Sequence, residues 1–196
     1  LIEKEKKYKI KNFNLNQYHN YVDSKIHIKI INKLIRGIKF SKKIPRDKFE
    51  KVVSDVLKIN VKTKNKKCPK VIPNIFHIRI VRPNIKNDFN PPHRDVYLDY
   101  LKSAINIYLP ICGSNKKSSL TLFPKSHMIN EKNIIKTSKN SFFNNQKFTV
   151  PTIIKSYPSI KMIRPNPKSN QMLIFSPYLI HGGGLNENKN LTRVSS

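Results

Sequence analysis

The stretch PPHRDVYLDY, residues 91–100, sets a histidine and a carboxylate two positions apart behind a proline pair. In an extended strand, residues i and i+2 project to one face. His93 and Asp95 would then stand side by side, with Arg94 as an outward-facing spacer. One imidazole, one carboxylate and a second histidine make an open iron site with three coordination positions free. His181 supplies that second histidine, several strand-lengths downstream at the end of the apolar run QMLIFSPYLI. Three protein ligands leave a site open, which excludes a closed structural zinc site. Alone, His93-x-Asp95 reads as a capped polar turn, and it is His181 and Arg193 together that turn the reading to ligands.

Arg193 and Ser195 form another i, i+2 pair, shortly after His181. An arginine fork beside a hydroxyl suits a carboxylate. A dicarboxylate could chelate the metal at one end and be clamped by Arg193 at the other. Asn106 is a polar residue within the apolar strand AINIYLP and needs a partner. That partner is either a bound cofactor or a neighbouring backbone group, and Thr121 has the same two readings. Arg79 reads either as a contact for an anionic substrate or as a surface arginine. Asp99 either lines the substrate mouth or faces water. His127 is expected to hydrogen-bond structurally within the PKSH turn, and His77 to be a half-buried strand residue. His19 and His27 fall in the helical region and are assigned no chemistry.

His93-Arg94-Asp95, then LIHGGG at 179–184, then TRVS at 192–195, in this order, resemble the iron(II)- and 2-oxoglutarate-dependent dioxygenases. SLTLFPKSH, residues 119–127, is similar to the L…PGSH stretch of the phytanoyl-CoA dioxygenase-like branch. The resemblance covers roughly residues 75–196. It implies a double-stranded β-helix (a jelly-roll, cupin-like barrel) flanked by helices, and the cofactors iron(II), 2-oxoglutarate and O2. It implies iron held by His93, Asp95 and His181, and 2-oxoglutarate held by Arg193 and Ser195, with Asn106 and Thr121 as further contacts. The implied reaction is hydroxylation of a small molecule with release of succinate and CO2. Relatives that halogenate replace the carboxylate ligand with a small residue, so Asp95 argues for hydroxylation. Two positions depart from the branch: Lys125 stands where glycine is usual, and Gly183 where serine is frequent.

The elements that must position these residues fall into two regions. Residues 15–36 read as helical and stop at Gly37, and a second helix begins at Pro45. Behind Pro45, Phe49, Val52, Val53, Val56 and Leu57 recur at helical spacing and predict a core-packing face. After Pro73 the pattern shifts to short alternating strands, at 75–83, 104–111, 119–123, 148–157, 159–165, 171–180 and 191–196. Residues 128–146 read as a surface loop, and GGGLNENKN as a flexible turn. This order predicts a mainly β single domain over 1–196, with a helical flank at 1–65 and a jelly-roll core at 70–196. The first residue is not methionine and the last strand ends abruptly, so both ends are expected to be trimmed.

The formal charge of +28 invites a nucleic-acid reading. The lysines are dispersed among Asn and Ile, however, a mixture that A/T-rich codons also produce, and no nucleic-acid motif accompanies them. Specific nucleic-acid binding is therefore not expected, and a small-molecule substrate, anionic in character, is. The competing reading is a basic, non-catalytic binding protein on a jelly-roll scaffold with a vestigial metal site. Cys68 and Cys112 lack ligand spacing and read as thiols of a reducing cytoplasm. No apolar run is long enough to insert into a membrane.

Overall fold

Residues 2–6, 10–34, 45–63, 77–143, 146–168 and 170–196 are described by a computed structural model. Gly37, Cys68 and the first two residues of the expected strand at 75–83 lie outside them. The helical region is divided where the sequence predicts continuity. After the short helix α1 (Ile2–Lys6), a 3-10 segment spans Leu15–Asn20 and a separate helix, α2, spans Ser24–Leu34. Asp23 causes the break, because its carboxylate accepts from the Ile26 amide at 2.7 Å and caps α2. Helix α3 (Arg46–Leu57) starts behind Pro45 as expected. Its apolar face is a correction to the sequence reading, since only Val53 is buried while Val52 and Val56 are exposed.

The remaining chain forms short antiparallel pairings. The strands are β1 (Arg79–Val81), β2 (Asn106–Tyr108), β3 (Pro110–Cys112), β4 (Thr121–Leu122) and β5 (Ile134–Lys136). They continue as β6 (Phe142–Phe143), β7 (Gln146–Lys147), β8 (Ile153–Ser156), β9 (Leu173–Phe175), β10 (His181–Gly182) and β11 (Arg193–Ser195). Strand β11 lies between β1 and β3, and β2 pairs β9. Strand β10 pairs β4, with single bridges from His93 to His181 and from Leu122 to Ile163. Strands β5, β6 and the start of β7 occupy parts of the expected surface loop, with β5 paired to β8, which lies in the expected strand at 148–157, and β6 paired to β7. The result is a mixed architecture of helices and small antiparallel sheets, and no closed barrel is formed among the described residues.

Residue alternation gives the β1–β11–β3 sheet two different faces. Ile80 and Val194 turn toward the helices and join Tyr18, Val22 and Ile30 in a buried cluster. Arg79, Val81, Arg193 and Ser195 occupy the other face, with Arg79 opposite Ser195 and Val81 opposite Arg193. A second cluster of Tyr108, Leu120 and Leu122 packs against Leu173 and Phe175.

A buried polar network fastens the helices to the end of β1. Arg82 holds Asp88 through Nε at 2.7 Å and Nη2 at 2.9 Å. The His27 ring sits between the Tyr18 hydroxyl at 3.0 Å and Asp88 at 3.4 Å. Burial pushes the His27 imidazole down to about 4, outweighing the Asp88 carboxylate, which acts the other way. His27 is therefore neutral near pH 7.

Arg82→Ala removes the partner of a buried carboxylate and should destabilise the fold by about 3–5 kcal/mol in denaturant unfolding. His27 predicts a separate pH effect. Its pKa is lower in the fold than in the unfolded chain, so its stabilising contribution is complete above about pH 6.5. That contribution is lost as pH falls toward 4, by about 3 kcal/mol. Melting curves across this window should show the slope, and His27→Gln should flatten it.

Candidate metal centre

His93, Asp95 and His181 come together as three convergent donors, with ligand atoms within 4.8 Å of one another. The i, i+2 strand argument selects residues that the fold does bring together, but by a partly wrong route. His93 forms a single bridge to His181, and Asp95 already begins a 3-10 turn, Asp95–Tyr97. Reciprocal backbone bonds join the two histidines, from His93 N to His181 O at 2.8 Å and from His181 N to His93 O at 3.0 Å. Their rings stand 4.5 Å apart at their centroids.

The Nδ1 atoms face backbone carbonyls, Pro91 O at 2.7 Å and Leu179 O at 3.0 Å. These acceptors place the proton of a neutral ring on Nδ1 and leave the Nε2 lone pair free. The Nε2 atoms of His93 and His181 lie 3.3 and 3.4 Å from the two Asp95 oxygens. With both rings in that tautomer, lone pairs converge with no proton between them, an arrangement that suits a cation. Donors sharing one ion at bonds of about 2.1 Å stand roughly 3.0–3.4 Å apart, which fits these edges. In the absence of an ion, a proton on Nε2 of either ring would take the cation's place; burial works against the Asp95 charge, but hydrogen bonding and positive charge from His181 and His93 then outweigh it. The carboxyl is held far below the usual range. Asn106 donates to the Asp95 Oδ2 atom at 2.6 Å and so orients the carboxylate.

Ser126 brackets both ligand segments. Its Oγ accepts from the Ile180 amide, next to His181, at 2.7 Å. Its carbonyl accepts from Nη2 of Arg94, between His93 and Asp95. Arg94 also donates to Ile129 O at 3.2 Å and to Glu131 at 2.8 Å. The outward-facing spacer is therefore corrected: Arg94 points away from the candidate donors but is buried. His127 is corrected as well, since it is exposed and Ser126 performs the structural hydrogen bonding. Lys125 keeps the left-handed conformation that glycine would favour, with φ 63°.

The remaining candidates divide by position. Arg193 and Ser195 are both buried on the face of β11 described above. Nη1 of Arg193 donates to Ser118 O at 2.8 Å and Gly183 O at 2.7 Å. Its Nε is buried without a partner. The Nε–Nη2 edge, which takes a carboxylate side-on, thus has no protein acceptor among the described residues. Burial pushes this guanidinium down to about 10. Gly183 must be glycine, because a Cβ there would lie 2.8 Å from the Asn90 amide nitrogen. Thr121 Oγ1 donates to Gly182 O at 3.2 Å. Asp99 is exposed and paired with Lys102 at 2.7 Å, so it faces water. The sequence reading missed Ser126 and Asn186. Asn186 is fully buried and donates to Val81 O and Leu191 O, which makes the supposed flexible turn an anchored one. A serine or asparagine in a loop carries no mark of burial, so no sequence signal singles these two out.

The triad resembles the facial His/Asp/His arrangement of 2-oxoglutarate oxygenases. No family model matches the sequence, and no curated protein matches it. No helix among the described residues is long and apolar enough to cross a membrane.

Ser126→Ala strands the Ile180 amide and loosens the segment carrying His181. Anaerobic Fe(II) titration should show metal affinity reduced by about tenfold or more. His127→Ala, at the exposed neighbouring position, should leave it unchanged.

Proposed function

We propose that this protein is an Fe(II)- and 2-oxoglutarate-dependent oxygenase of the phytanoyl-CoA dioxygenase-like branch. It would hydroxylate a small-molecule substrate, with succinate and CO2 as co-products. The observation that carries this reading is the convergence of His93 Nε2, His181 Nε2 and the Asp95 carboxylate, with both Nδ1 atoms committed to backbone carbonyls. Two histidines and one carboxylate with open positions are the donor set of non-haem iron oxygenases. The pairing order supports a jelly roll spanning a single domain. One layer runs β1, β11, β3 and, through the continuous 106–112 segment, β2 to β9. The other runs from His93 to β10 to β4 to Ile163. Two antiparallel layers of four segments are the layout of an eight-stranded jelly roll.

Iron, when bound, supplies activation of O2 coupled to oxidative decarboxylation of 2-oxoglutarate. The residues of the chain have simpler tasks. His93, Asp95 and His181 hold the metal, and Asn106 fixes the carboxylate ligand. Arg193 offers its open Nε–Nη2 edge to the far carboxylate of 2-oxoglutarate, with Ser195 on the same strand face. Its burial keeps water from competing for that edge. A second reading, a basic binding protein, rests on the charge of +28. DNA or RNA binding with a steep salt slope, without 2-oxoglutarate binding, would favour it.

Purified protein should form succinate from 2-oxoglutarate only when iron is present, and His93→Ala and Asp95→Ala should abolish this. Full succinate formation in either variant would remove the triad from the proposal. Arg193→Ala should weaken 2-oxoglutarate binding by roughly tenfold to a hundredfold in calorimetry, and an unchanged affinity would remove the clamp.

A further inference from the structure

We propose that Arg79 is the docking point for an anionic group, carboxylate or phosphate ester, on the organic substrate. The proposal rests on the oxygenase reading for what occupies the metal and Arg193, while the anion site itself is argued from β1. Strand register places Arg79 directly opposite Ser195 and on the same sheet face as Arg193. Ile80, between Arg79 and Val81, turns the other way into the helix-covered core. Arg79 therefore cannot point toward the helices.

The Arg79 side chain is exposed, yet no hydrogen bond or ion pair engages its guanidinium among the described residues. Burial nevertheless lowers its pKa, with the Asp95 carboxylate acting in the opposite direction. Its charge also depresses the pKa of Arg193. Strand register sets this solvent-reachable guanidinium on the sheet face that carries Arg193 and Ser195. Arg164, which also acts on Arg193, is already matched by Glu187 at 3.3 Å.

Charge balance then separates Arg79 from the 2-oxoglutarate clamp. A divalent ion, Asp95, Arg193 and the two carboxylates of 2-oxoglutarate sum to neutrality among themselves. Arg79 is the cation left over in that set. A planar fork with its donors unengaged binds carboxylate or phosphate through paired charge-assisted hydrogen bonds. An anionic substrate would complete the balance and be held beside the metal rather than on it.

The test uses the full chain loaded with Mn(II), with inorganic phosphate and acetate as probes. Binding is read by paramagnetic relaxation of the 31P and 13C signals at saturating 2-oxoglutarate. Calorimetric titration of both probes into metal-free protein runs in parallel. In wild type at least one probe should bind close enough to Mn(II) to be relaxed. Tighter phosphate binding assigns a phosphate ester, and tighter acetate binding a carboxylate. Arg79→Gln should weaken the preferred probe by about tenfold or more, and Arg79→Lys should retain most of it. The affinity of Arg79→Gln for 2-oxoglutarate should stay within about threefold of wild type. Undiminished probe binding in Arg79→Gln, or no probe binding in wild type, overturns the proposal. A parallel loss of 2-oxoglutarate affinity overturns it too, by placing Arg79 in the cofactor clamp. If wild type binds neither Mn(II) nor 2-oxoglutarate, the oxygenase reading falls, and the metal-free titrations still decide whether Arg79 binds an anion.

Discussion

The two backbone hydrogen bonds exchanged by His93 and His181 are the constraint on which the rest depends. They set two distant segments in register, so that both imidazoles emerge on one side with Nε2 facing inward. A slip of one residue would send either ring to the opposite face. The neighbouring contacts preserve this register. Strand β10 continues from His181 into its pairing with β4. The Asp95 amide donates to Pro177 O, and Gly183 closes against Asn90. Ser126 joins the two sides by meeting Arg94 with its carbonyl and Ile180 with its hydroxyl. Each histidine of the triad has little freedom of its own here, because its backbone and its Nδ1 are already engaged.

Strand β11 performs two tasks at once because its side chains alternate. Val194 closes the core beneath the helices, while Arg193 and Ser195 face the opposite way. Burying Arg193 costs desolvation energy that two carbonyls, Ser118 and Gly183, offset only at Nη1. The unmatched Nε is the kind of orphan that structures retain at ligand sites. The helices thus do more than fill space. They cover one face of this sheet and leave the other for polar groups. The Arg82–Asp88–His27 network pins them to the end of β1, only one residue beyond Val81.

Much of the chemistry was legible from spacing. His93-x-Asp95, a histidine after an apolar strand, and Arg-x-Ser beyond it are local patterns, and local backbone geometry decides which of those residues share a side. The break at Asp23 was also present in the sequence, as a capping residue before Ser24, but the long helical stretch obscured it. The face of α3 shows the limit of periodicity. Helical spacing identifies which residues lie together, and it does not say whether another element covers them, so Val52 and Val56 read as core and are exposed.

By itself the sequence determined the donor set, its order along the chain, and the strand alternation that separates Arg193 and Ser195 from Val194. Only the tertiary structure decided that Arg94 is buried, that Ser126 rather than His127 ties the segments of His93 and His181 together, and that Asp99 faces water while Arg79 stands opposite Ser195. The physical reason is that these outcomes depend on what approaches each side chain from far along the chain. A hydroxyl, a guanidinium or a carboxylate has the same identity in a turn as in a core, and its role is set by the partners that pairing across the sheets brings to it.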